Sequence, residues 1–114
     1  AGTYARGSLD GTTAGAGRPG IVYRVGSVDL IAEVAVAGGT GPRQPVRYQL
    51  RPDGLDASYD FYVFNSHYDA EDAPDRLTEA QAIRASADAL GQGQEVLYAG
   101  DYNIDSSSEG MYTH

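Results

Sequence analysis

The chain has 114 residues, 41% of them hydrophobic, and its 16 acidic residues against eight basic ones give a formal charge of −8 at pH 7. That length allows one domain with a real core, and the acidic balance argues against a non-specific binder tracking nucleic acid through a broad basic surface. There is no cysteine, hence no disulfide and no thiolate metal site, and no apolar run approaches the length of a bilayer span.

In chain order, residues 1–20 are rich in glycine and small polar side chains and read as a flexible loop. "IVYRV" (21–25) and "VDLIAEVAV" (28–36) are rich in β-branched residues, with Gly26-Ser27 as a turn signal between them. A loop follows at 38–45. In "VRYQLR" (46–51), Val46, Tyr48 and Leu50 alternate with polar neighbours, the pattern of a half-buried strand. "YDFYVFNSH" is almost continuously apolar before its polar end, as expected of a central strand buried on both faces.

"DAEDAPD" reads as an acidic loop; it lacks the glycine and the terminal glutamate of a calcium-binding EF-hand loop. Leu77, Ala80, Ile83, Ala87 and Leu90 then recur at helical spacing. Either Thr78 with Gln81 forms a capping box, or Pro74 in the first turn starts the helix earlier. "EVLYAG" reads as a second buried strand, and "SSSEGMY" as the capped start of a short helix. The strand-helix-strand stretch 60–100 is long enough for a crossover between parallel strands, although antiparallel pairing in a mixed sheet also fits. Strand ends gather ligands in open α/β sheets, and both His67 and Asp101 fall just past the ends of strands.

These strand ends carry the residue types that phosphate-ester hydrolysis requires. Asp101 can orient or deprotonate a water, and Asn103 can hold a phosphate oxygen or a hard cation through its amide. His67 can donate to phosphoryl oxygens or carry a proton, Asn65 shares its strand face, and Arg47 can grip a phosphate as a fork. Each signal alone has a plainer reading: an Asx turn at 101–103, a satisfied polar histidine, and strand arginines on a solvated face.

Taken together, "FYVFNSHYDAEDAPDRLTEAQAIRASADAL" and "EVLYAGDYNIDSSSEGMY" resemble the endonuclease/exonuclease/phosphatase superfamily. The shared pattern is a strand ending in Asn65-Ser66-His67, a helix opening with Arg76 and Gln81, and a strand running into Gly100-Asp101-Tyr102-Asn103, over roughly residues 46–112. The resemblance implies an α/β (α+β) chain forming part of a four-layer α/β/β/α sandwich with mixed sheets. It implies catalytic roles for His67, Asp101 and Asn103, and substrate contacts from Asn65 and, in a looser match, Arg47. It also implies a divalent metal, magnesium foremost with manganese or calcium as alternatives, held in part by Asp101 and Asn103. The substrate class it implies is a phosphodiester or phosphomonoester, DNA and RNA among them.

The resemblance is incomplete. Nothing before residue 20 matches the segment carrying the superfamily's metal-binding glutamate, and Glu33 is a poor substitute amid an apolar strand. No Asp-His pair in the superfamily's terminal context follows residue 112. The sequence, which opens at Ala1 without a signal-peptide pattern, is therefore expected to be an internal fragment: a Gly-rich segment at 1–20 and a partial domain at 21–114, partnered by the remainder of its parent domain. Such a piece should expose apolar surface on 28–36 and 60–66. The acidic charge leans toward a secreted or periplasmic enzyme. The competing reading is a non-catalytic binding or structural domain that retains the fold.

Overall fold

The computed structural model describes residues 2–9 and 17–113. Its strands are β1 (Tyr4–Arg6), β2 (Val22–Arg24), β3 (Val28–Ala35), β4 (Val46–Pro52), β5 (Phe61–His67) and β6 (Glu95–Asp101). One α-helix, α1 (Ala73–Asp88), lies between β5 and β6, and short 3₁₀ turns occupy Ala57–Tyr59 and Gly110–Thr113. No helix among the described residues is long and apolar enough to cross a membrane.

Strands β3-β4-β5-β6 form one mixed sheet in that order. The first two pairings are antiparallel and β5–β6 is parallel, so the strand-helix-strand stretch adopts the crossover alternative. A parallel neighbour requires the chain to return along its own length, and α1 makes that return. This is an α+β chain with a mixed sheet, as expected.

Alternation along β4 divides the sheet into two faces. Val46, Tyr48 and Leu50 are buried on one face, where they pair across the ladder with Asn65, Val63 and Phe61. Arg47 and Gln49 pair with Phe64 and Tyr62 on the other, against which α1 packs. Phe64, Ile83, Val36 and Tyr68 form the core beneath the helix, and Ala80, Ala87 and Leu90 of the predicted apolar stripe pack around them. On the first face, the segment leaving β1 crosses the sheet. Tyr48 donates its hydroxyl to the Leu9 carbonyl (2.8 Å), and Glu33 accepts from the backbone N–H groups of Ser8 and Leu9. Burial works against the Glu33 charge, but the Ser8 hydroxyl and these N–H groups hold its carboxyl below the usual range. Glu33 is therefore the anchor of the N-terminal segment rather than a carboxylate stranded among apolar neighbours.

Several expectations are corrected. Part of the segment read as loop is strand: Tyr4–Arg6 pairs antiparallel with β2 as a separate two-stranded ribbon. "IVYRV" thus belongs to that ribbon and not to the main sheet. β6 is not a buried strand. Among the described residues it pairs with β5 alone, and Leu97 and Tyr98 are exposed. In β5 Phe64 and Ser66 are buried and the other positions half-buried, so the exposed large apolar side chains of the main sheet are Ile31 and Val34 on β3 and Leu97 and Tyr98 on β6.

The helix starts early, at Ala73, with Asp72 as its N-cap and Pro74 in the first turn. "DAEDAPD" is its entry: Asp69 accepts from the N–H groups of Glu71 and Asp72, and Asp72 from that of Asp75. These acids serve as backbone caps, which explains a charge run otherwise read as a solvated loop. Arg76, almost wholly buried, donates a fork to Glu109 (both contacts 2.8 Å) and a further bond to the Asp69 carbonyl. It ties the chain beyond β6 to the start of the helix.

Candidate active site

The parallel register of β5 and β6 makes Asn65 the partner of Ala99, Ser66 of Gly100, and His67 of Asp101. His67 and Asp101 therefore reach the end of the sheet side by side on the same face. Nε2 of His67 lies 4.0 Å from Oδ2 of Asp101. Gly100 permits this approach. Its φ is +139°, and a Cβ there would stand 1.9 Å from the Ser66 carbonyl oxygen, so no side chain fits between the strands at this point.

The imidazole is oriented by the N-terminal segment. Nδ1 of His67 lies 2.8 Å from the carbonyl oxygen of Gly17. A carbonyl only accepts, so Nδ1 carries the proton, and Nε2 is the atom turned toward Asp101. Asn65 donates its amide to the Gly20 carbonyl and so holds the same segment three residues further on. Each side chain grips the 17–20 segment, and the Gly17 carbonyl fixes the ring.

Asp101 has a largely exposed side chain. Its Oδ1 accepts from the backbone N–H of Asn103 (3.0 Å), a turn that gives Asn103 a φ of +48°. Asn103 donates its amide to the Tyr68 carbonyl (2.8 Å), so the amide oxygen remains to act as acceptor toward an incoming group. The Asx turn is formed, and it sets the Asp101 and Asn103 side chains side by side at the end of β6. A depression of about 260 Å³ opens here, bounded by residues 17–19, 65–67 and 100–101.

Arg47 is not part of this cluster. As the register partner of Phe64 it projects from the opposite face, donates to the Ser86 hydroxyl (3.2 Å) and lies over the Tyr62 ring. Sequence reasoning missed Arg43 instead, which donates from Nε to the His67 carbonyl (3.0 Å) and from Nη2 to the Tyr68 carbonyl (2.8 Å). It also missed Glu79, buried on α1, whose Oε2 accepts from the Asp69 N–H while Oε1 has no hydrogen-bond partner. Burial pushes the Glu79 carboxyl up to about 7.

Among the described residues no group of three or more histidine, cysteine or acidic side chains converges as a metal site. Asp101 and Asn103 offer two side-chain oxygens, short of the near-octahedral oxygen set that magnesium requires. The residues described here do not by themselves fit a resident divalent metal.

The sequence matches no family model and no curated protein. Solved structures share its fold. An endonuclease/exonuclease/phosphatase family protein from Bacteroides thetaiotaomicron superposes with a TM-score of 0.73 at 19% identity, over 96% of this chain and 45% of that one. The mannosyl-6-phosphatase of the same organism gives 0.73 at 17% identity over 96% and 46%. The human Nocturnin catalytic domain, solved with a bound sulfate anion, gives 0.78 at 12% identity over 97% and 46%. The chain thus has the fold of this part of endonuclease/exonuclease/phosphatase proteins and spans less than half the length of each.

Proposed function

We propose that the chain carries one side of the active site of a phosphate-ester hydrolase of the endonuclease/exonuclease/phosphatase type, with a phosphodiester, nucleic acid included, as its substrate class. The observation that carries this reading is the placing of His67 and Asp101 as register partners at the mouth of one depression. It is supported by the fold shared with a mannosyl-6-phosphatase and with a Nocturnin domain holding a tetrahedral oxyanion.

In this reading a phosphoryl group sits above the ends of β5 and β6. With Nδ1 committed to Gly17, Nε2 of His67 donates to a phosphoryl oxygen when the ring is protonated, with the Asp101 carboxylate beside it as counter-charge. The free oxygen of Asp101 orients the attacking water and draws off its proton, while the Asn103 amide oxygen fixes that water or the phosphate edge. The water oxygen bonds to phosphorus as the bond from phosphorus to the ester oxygen breaks, and the leaving oxygen takes a proton from solvent. If a divalent metal serves the reaction, Asp101 and Asn103 would be its ligands from this chain, and further ligands would have to come from elsewhere.

A second reading is a domain that keeps the fold without the chemistry, favoured by the absence of a converging acidic cluster among the described residues. Hydrolysis of bis(p-nitrophenyl) phosphate and of plasmid DNA with magnesium, beside an Asp101→Asn control, separates the two. Activity that falls about 10²-fold or more in the control supports the hydrolase. A folded full-length protein without activity supports the second reading.

A further inference from the structure

Strand β5 ends at His67, and the groups that hold the chain just beyond it come from three separate places. In a continuing strand, successive carbonyls point to opposite sides. Here the carbonyls of His67 and Tyr68 both accept from the single guanidinium of Arg43, at 3.0 and 2.8 Å. The Tyr68 carbonyl also accepts the Asn103 amide at 2.8 Å, and the Tyr68 N–H donates to the Asp101 carbonyl at 2.9 Å. Two successive peptide units, on either side of the Tyr68 Cα, therefore join Arg43, Asn103 and Asp101, with His67 at their near end.

Arg43 does not border the depression at the ends of β5 and β6; it borders a separate polar cavity with Glu79 and the residues around Gly41. It reaches the site only through backbone. A planar fork with two N–H groups at fixed spacing suits adjacent carbonyls, and a lysine ammonium has no equivalent geometry.

We propose that Arg43 is a positioning residue of this site: its fork across the His67 and Tyr68 carbonyls sets the imidazole and the Asn103 amide in one frame. This inference deepens the hydrolase reading and rests on it for its catalytic consequence, but not for its structural one. Arg43→Ala removes the donor to the His67 carbonyl and leaves the Tyr68 carbonyl to the Asn103 amide alone, so the His67 ring loses its fixed distance from Gly17 and Asp101.

The test has two arms, both on the full-length chain. In the first, side-chain ¹⁵N spectra of His67 are recorded for wild type and variants. The wild type should show the single Nδ1–H tautomer, and Arg43→Ala an averaged pattern. Arg43→Lys should be intermediate, and it serves as the reading if circular dichroism shows that the alanine variant fails to fold. In the second arm, kcat should fall about 10²-fold on a phosphodiester with KM little changed, because the loss is one of placement. Added guanidinium should restore part of it. Unchanged His67 spectra in folded variants overturn the inference whatever the activity. A changed tautomer pattern in a protein without hydrolysis upholds the positioning and refutes only the hydrolase reading.

Discussion

Nε2 of His67 and Oδ2 of Asp101 lie 4.0 Å apart because their residues are register partners on adjacent parallel strands. That separation is beyond a hydrogen bond, so neither group satisfies the other, and both are available to one third atom. The geometry follows from backbone pairing rather than from flexible side chains, which fixes it against small surface changes.

Gly100 is the point at which this pairing is most exposed to mutation. A methyl group there meets the Ser66 backbone at 1.9 Å, at a φ of +139° that L-residues avoid. Gly100→Ala is expected to cost about 3 kcal/mol or more and to part β6 from β5. Gly20→Ala, where an added Cβ meets nothing within 4 Å, should cost little by comparison. Urea denaturation of both variants checks the contrast.

Glu79 should make stability depend on pH in an unusual direction. Its carboxyl is raised to about 7 from 4.5, first by burial and then by Asp69 and Asp75, against the pull of Arg43 and the Asp69 N–H. The fold therefore binds a proton that the unfolded chain releases. The stabilisation is fully present below about pH 4.5 and is lost as pH rises through about 7, a change of about 3 kcal/mol. Glu79→Gln should remove this slope and be more stable than wild type at pH 8. Denaturation midpoints across pH 5–8 test it.

Arg76 and Glu109 form a pair almost wholly out of solvent, with side chains 3% and 11% exposed. Arg76→Met leaves the Glu109 carboxylate without its cation and should lower the melting temperature. Adding Glu109→Gln should recover part of that loss, because the uncompensated charge is gone. A double-mutant cycle by thermal unfolding measures the coupling. Hydrogen exchange across Gly110–Thr113 should rise in the single variant.

The parts of the fold legible in the sequence were those written in burial. The apolar runs before His67 and Asp101 marked two strands, and the stripe from Leu77 to Leu90 marked the helix joining them. What escaped was set by pairing at a distance. Tyr4–Arg6 is a strand only because β2 lies beside it, and its own composition is that of a loop. The alternation of Val46, Tyr48 and Leu50 already placed Arg47 on the other face of its strand. Only the β4–β5 register, with Val46 opposite Asn65, shows that His67 lies on the face opposite Arg47. Arg43 sits in a Gly/Pro loop with no periodicity to mark it. The exposure of β6 was equally hidden, because an apolar run does not say whether a neighbour covers it.

In the proposed site His67 and Asp101 face one phosphate. The most direct measurement is a titration of the full-length protein with inorganic phosphate, following the His67 ring nitrogens and the Asp101 carboxyl carbon by NMR. Both signals should move together with one affinity, and His67→Ala should abolish the response at Asp101. Signals that stay still while phosphate shifts only the arginines of the N-terminal ribbon would contradict this placement.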